Sequence, residues 1–159
     1  MRLSILSTTV ASAALPVAAF RVYLTYNTIY DQGERPLSEV ACWDPKVPGL
    51  FPGYNDWLLQ RNIPVGVLAI PNITGWDHPD CISCWMVTWE EGARTRMLLA
   101  IDGSEKGFVT SLRSMNSLTD GQAKDFNPLE PLEVNASRVS LQNCGFAPRD
   151  VRKEISDEL

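Results

Sequence analysis

The chain has 159 residues, 45% of them apolar, and a formal net charge of −5. That length suits a single domain with a real hydrophobic core. With 19 acidic residues against 14 basic ones and no basic cluster, the composition excludes a nucleic-acid binder and a seeker of anionic membrane surfaces.

The first segment points to the secretory pathway. Arg2 supplies a positive start, and residues 3–20 carry no charge and are mostly Leu, Ile, Val and Ala. Val17 and Ala19 are small residues ahead of a cut after Ala19, so residues 1–19 read as a signal peptide. The stretch is long enough to be weighed as a membrane anchor. Ser4, Ser7, Thr8, Thr9, Ser12 and Pro16 interrupt it and make it only weakly apolar, which favours the cleaved signal. No later segment approaches a membrane span. Loss of Arg2 makes the mature chain more acidic by one charge.

Short apolar runs and turn clusters then alternate. Arg21 to Asn27 places Val22, Leu24 and Tyr26 on one face of a strand. Tyr54 to Gln60 reads as a short helix. Val65 to Ile70 is an apolar run between Pro64 and Pro71, and Cys84 to Trp89 is another strand. Thr95 to Ile101 is strongly apolar and ends at Asp102. Phe108 to Leu112 follows a turn at Gly103 and Gly107. Ser111 to Thr119 predicts a helix, with Leu112, Met115 and Leu118 along a core-facing stripe and Gly121 as the stop. Leu132 to Leu141 alternates again. Many short strands with regular turn signals predict an all-β sandwich or barrel.

Four cysteines follow the signal: Cys42, Cys81, Cys84 and Cys144. An even number in an oxidising compartment predicts two disulfides, with three pairings open. A Cys81–Cys84 redox pair is disfavoured, because such a pair sits at a helix N-terminus and Cys84-Trp85-Met86-Val87-Thr88-Trp89 reads as a strand. The single histidine, His78, lies in an Asp-His-Pro-Asp loop, and no other Cys or His stands at ligand spacing. No metal and no cofactor are expected. Asn72-Ile73-Thr74 and Asn135-Ala136-Ser137 are N-glycosylation sequons. Arg149 to Leu159 is mostly charged and reads as a tail. Its end, Ser156-Asp157-Glu158-Leu159, partly matches an ER-retrieval tetrapeptide but lacks the usual first residue, so plain secretion is preferred.

Taken together these pieces form a series. Tyr26 and Tyr30-Asp31 precede Val40-Ala41-Cys42. Gly75-Trp76-Asp77-His78-Pro79-Asp80-Cys81 leads to Cys84-Trp85. Ala100-Ile101-Asp102 leads to Gly107-Phe108. Ser114-Met115-Asn116, Leu118-Thr119, Gly121-Gln122-Ala123 and Cys144-Gly145 complete it. The series resembles the cerato-platanin family, small secreted proteins of filamentous fungi, from Val22 to about Phe146. The resemblance implies a mainly β fold: a six-stranded double-ψ β-barrel akin to the first domain of expansins, with two or three short helices. It implies the pairing Cys42–Cys81 and Cys84–Cys144, and a domain over residues 20–147 followed by a charged tail at 148–159. Departures from the family pattern stand at Asn27, Trp43, Ile82-Ser83 and Val109, and the tail is extra.

The resemblance also implies a function. Family members occur in fungal walls and culture fluid, bind chitin fragments (N-acetylglucosamine oligomers) and elicit plant defence. Some loosen cellulose without hydrolysis or assemble at interfaces. The partners expected here are chitin or other wall oligosaccharides, a plant receptor and further copies of the chain. Asp102 is the leading carbohydrate-binding residue, expected at a strand end with acceptor oxygens for sugar hydroxyls; the residue alone reads instead as a turn aspartate bonding local backbone N–H groups, and the resemblance favours the groove role. Tyr26, Tyr30, Asp31 and Asn116 are carried over as further contacts, with burial in the core the other reading of Tyr26 and capping or bracing of the helix that of Asn116. Glycoside hydrolysis needs two carboxyl groups across the bond, and Asp31 is the one candidate partner for Asp102. Non-catalytic binding is therefore expected. The alternatives are wall loosening or weak glucan cleavage, and surface activity driven by Trp43 and Trp57.

Overall fold

Each predicted strand run is a strand in the computed structural model, which describes residues 18–44, 59–127 and 129–146. The strands are β1 (Phe20–Tyr26), β2 (Gly66–Pro71), β3 (Ser83–Trp89), β4 (Arg94–Ser104), β5 (Phe108–Thr110) and β6 (Leu132–Val139). They close into one barrel in the order β1-β5-β2-β4-β3-β6. The pairs β1·β5 and β2·β4 are parallel and the other four are antiparallel. This is the six-stranded double-ψ barrel that the resemblance implies.

Burial explains the two kinds of strand pattern. The barrel interior holds Leu24, Leu68, Trp85, Leu98, Phe108 and Val134, with Met115 and Leu118 packed in from the helix. A second cluster lies on the outer face of β2 and β4, where Val67, Ala69, Leu99 and Ile101 meet Tyr30, Leu37, Val40 and Phe146. Strands β2 and β4 are thus buried on both faces and read as unbroken apolar runs. Strand β6 has one wet face, so Leu132, Val134 and Ala136 alternate with exposed Glu133 and Asn135.

Several boundaries differ from expectation, each for a local reason. Strand β4 does not stop at Ile101. Its parallel ladder to β2 resumes after a bulge at Leu68/Ala69 and pairs Ala69 with Asp102 and Pro71 with Ser104. Strand β5 ends at Thr110 because Ser111 turns to cap the helix α1 (Leu112–Thr119), its hydroxyl accepting from the Ser114 N–H. The helix stop falls one residue before Gly121: Asp120 takes the left-handed conformation at φ 56°. The helix predicted over Tyr54 to Gln60 falls mostly outside the described residues. Within them, Leu59 is extended and bridges Pro36, and Gln60–Asn62 is a single 3-10 turn. The described residues hold one α-helix and six such turns, in place of two or three short helices.

Both disulfides have the pairing implied by resemblance, Cys42–Cys81 and Cys84–Cys144, with Cα separations of 5.4 and 5.8 Å. The first ties the segment that covers β2 and β4 to the β2–β3 loop. The second ties β3 to the turn Leu141–Cys144. Residues 1–17 of the expected signal peptide, Trp57 and the expected tail at 148–159 lie outside the described residues. Among those described, no helix is long and apolar enough to cross a membrane.

Candidate functional site

A groove of about 530 Å³ opens where the start of β2 meets the first turn of α1. Its lining includes Tyr30, Asp31, Gln60, Arg61, Arg113 and Ser114. Gly66 belongs to the same wall, and a Cβ there would collide with the Ser114 hydroxyl. Glycine there lets β2 approach α1 without displacing the Ser114 and Leu98 side chains.

One wall is the 3-10 turn Thr28–Asp31. Asn27 starts it, its side-chain oxygen accepting from the Ile29 N–H at 3.0 Å. The turn aims the Asp31 carboxylate at the N-terminus of α1. One oxygen accepts from the Leu112 N–H at 2.8 Å and the other from the Arg113 N–H at 3.0 Å. Together with the Ser111 hydroxyl, Asp31 satisfies the first amides of the helix, where a negative charge is also favoured by the helix dipole.

Behind the Tyr30 wall lies a polar hub built around Asp102. One oxygen accepts from the backbone N–H of Ala41 at 3.0 Å and of Gly103 at 2.9 Å. The other accepts from the Tyr30 hydroxyl at 3.0 Å and from Arg35 at 3.3 Å. Arg35 is buried, its side chain only 7% exposed. It also donates to the Glu39 carbonyl at 3.0 Å and lies over the Tyr30 ring, 5.3 Å from its centre. Gln60 closes the wall, its side-chain amide donating to the Tyr30 carbonyl at 2.6 Å. Burial raises the Tyr30 hydroxyl pKa first, and the neighbouring Asp102 carboxylate raises it further; Arg35 partly offsets both.

The structure thus separates the five sequence-predicted contacts. Tyr30 and Asp31 line the groove. Asp102 stands one layer behind, inside β4 and not at its end, with four donors on two oxygens. A carboxylate offers about four acceptor sites, so this one is saturated by its own chain. Tyr26 sits on β1 opposite Thr110 and packs against the interior cluster. Asn116 braces the far end of α1, its side chain accepting from the Ala123 N–H at 3.2 Å and its carbonyl from the Gly121 N–H at 2.9 Å. Trp43, whose exposure the surface-active alternative requires, is partly buried against the outer cluster.

Sequence reasoning missed Arg35, Gln60, Arg61, Arg113 and Ser114. A buried Arg35 leaves no periodic mark: of its two carboxylate partners Glu39 is four positions on, but Asp102 is 67 positions away. The polar run Gln60-Arg61-Asn62 before Ile63-Pro64 was the available signal for a groove wall. It is masked by its resemblance to the end of a helix. Arg61 pairs with Glu34. Arg113 is exposed and has no carboxylate partner among the described residues.

The arrangement offers a fixed, polar, open trough. Three carboxylates stand at or near it, and the exposed Glu34 is paired with Arg61. Asp31 is held by two helix amides and Asp102 by four donors. A glycosidase needs one acid and one base or nucleophile with access to the bond.

The family model described as Cerato-platanin matches residues 22–146. The chain is 33% identical over 151 residues to the heat-stable 19 kDa antigen of Coccidioides posadasii, covering 92% of this chain and 99% of that protein. It is 29% identical over 130 residues to the cerato-platanin of Ceratocystis fimbriata f. sp. platani, covering 80% and 89% respectively. The crystal structure of cerato-platanin 3 from M. perniciosa superposes with a TM-score of 0.68 at 30% identity, over 80% of this chain and all of that one.

Proposed function

The chain belongs to the cerato-platanin family of secreted fungal proteins, and from that premise we propose that it binds short wall oligosaccharides, chitin fragments first, without cleaving them. The observation that carries the reading is the groove itself. About 530 Å³ is the size of a ligand site, its walls are polar, and the carboxylate that lines it, Asp31, holds two helix amides. Hydroxyl and N-acetyl groups would meet Gln60, Arg61, Arg113 and Ser114. In this reading Asp102 positions Tyr30 and does not touch sugar. At the fungal wall such binding would serve an elicitor of plant defence; a solved cerato-platanin of the same fold is named a fungal elicitor.

The test is an NMR titration of the 15N-labelled mature chain with an N-acetylglucosamine tetramer. Amide shifts are expected at Gly33, Arg61, Gly66 and Ser114, and Arg113→Ala should weaken binding several-fold. Silence throughout the groove at millimolar ligand overturns the reading. A reducing-end assay on chitin and glucan addresses cleavage: product release that disappears in Asp102→Asn would show that binding is not the whole activity. Elicitation is read by infiltrating plant leaves with folded protein and with its reduced, alkylated form; equal inactivity of both counts against it.

A second reading is a surface-active protein. Phe20, Tyr23 and Trp76 are large apolar side chains that stand 46%, 57% and 41% exposed. Interfacial film formation that survives Arg113→Ala but falls in Trp76→Ser would favour it.

A further inference from the structure

We propose that Asn72 carries an N-linked glycan and that Asn135, the other sequon, does not; the inference rests on entry of the chain into the secretory pathway. The two triplets sit in opposite structural settings. Asn72-Ile73-Thr74 follows the last residue of β2 and opens the β2–β3 loop. Asn72 and Thr74 are exposed, and Ile73 between them is buried and anchors the turn. Asn72 takes φ 70°, a left-handed conformation that asparagine adopts more readily than most residues, and its side chain makes no hydrogen bond among the described residues.

Asn135-Ala136-Ser137 lies in the middle of β6. That strand is laddered to β1 on one side and to β3 on the other. Asn135 itself is exposed, but Ser137 is 2% exposed and Ala136 fully buried. The third-position hydroxyl is part of the acceptor signal. Once the barrel has closed, a transferring enzyme reaches it only by peeling β6 from both neighbours, so the time open to transfer at Asn135 ends when the wall forms. Thr74 needs no such opening.

The transfer is a substitution at the anomeric carbon of a polyprenyl-diphosphate oligosaccharide. The Asn72 side-chain nitrogen forms the new C–N bond. The bond from C1 to the diphosphate oxygen breaks, the polyprenyl diphosphate leaves, and one amide proton passes to the enzyme's base. Nothing is oxidised or reduced.

Position gives the glycan a consequence. Gly66 lines the groove at one end of β2, and Asn72 lies just past the other. At about 3.3 Å per residue the two are roughly 20 Å apart. A glycan on Asn72 therefore leaves the groove open. It stands in the same loop as Trp76, whose exposed ring it can cover.

The experiment is intact-mass and peptide mapping of the full chain made in a fungal secretory host, before and after peptide:N-glycosidase. Wild type, Asn72→Gln, Thr74→Ala and Asn135→Gln are compared, each taken from the medium or, if retained, from secretory membranes. The expected result is one glycan on residue 72, lost in Asn72→Gln and Thr74→Ala and kept in Asn135→Gln. Glycosylated and Asn72→Gln proteins should bind the N-acetylglucosamine tetramer equally. A chain without glycan, or a glycan on Asn135, overturns the assignment. A chain found only in the cytosol with residues 1–19 intact overturns its premise. Neither result bears on whether the groove binds sugar.

Discussion

The barrel strands find one another through backbone ladders and two apolar faces, whereas the segment from Thr28 to Trp43 that covers β2 and β4 is held by a few side chains and one disulfide. In the barrel, stabilisation is spread over many equivalent contacts, so no single residue carries the wall. In the covering segment, Arg35 and Cys42 each carry a large share, Arg35 through its bond to Asp102 of β4. The groove lies on the border between the two: its floor is strand and its wall is the covering segment. A rigid base with a wall fixed at a few points is a sound way to hold polar groups in place while leaving them open to solvent.

Breaking the disulfide of the covering segment should separate the two regions most clearly. Cys42→Ala/Cys81→Ala frees a 39-residue separation and should cost about 4 kcal/mol on the chain-entropy model, read by guanidinium unfolding. Amide exchange should rise first in Thr28 to Trp43 while β3 and β6 stay protected; uniform loss of protection would show that the barrel depends on its cover.

Asp102→Ala should come next, at about 3 kcal/mol, because it takes from the buried Arg35 the nearer of its two carboxylates and leaves only Glu39, at 3.6 Å. The amide of Ala41 should exchange faster, and sugar affinity should fall only as far as Tyr30 moves. An unchanged unfolding midpoint would reduce the hub to a surface contact.

Asp31→Ala removes two bonds from the start of α1 and should cost about 1–2 kcal/mol, seen as a lower thermal midpoint. The effect should stay local to α1 and the groove.

The smallest effect is a slope against pH. The Tyr30 hydroxyl has its pKa raised in the folded state by burial and by Asp102. The folded protein therefore holds that proton more tightly than the unfolded chain does. The associated stability is fully present below the unfolded tyrosine pKa of about 10 and is lost as pH rises above it. Unfolding midpoints of wild type should fall between about pH 10 and 11, and those of Tyr30→Phe should fall less steeply. Parallel curves would sink this account.

The same division decides what sequence reasoning could see. Strands buried on both faces announced themselves as Val67-Leu68-Ala69-Ile70 and Leu98-Leu99-Ala100-Ile101, and β6 through its alternation. Those signals are periodic and local. The hub is neither. Tyr30 and Arg35 reach Asp102 across 72 and 67 positions, and nothing in the spacing of an arginine in a Pro-containing loop marks it as buried. Asp102 was recognisable as important through the series of motifs it belongs to. Its bonding to local backbone was one of two readings open from sequence, and the choice between them was not legible, because a saturated carboxylate and a free one look alike until their donors are known.

The closed strand order has a bearing on how copies of this chain can associate. Every strand of the barrel has a neighbour on each side, so there is no open sheet edge onto which another molecule could add a strand. Any film or polymer of the folded protein must be joined through side chains on its outer surface. Such material should keep the far-UV circular dichroism of the monomer, dissolve again in mild detergent, and show none of the 4.7–4.8 Å fibre repeat of cross-β stacking.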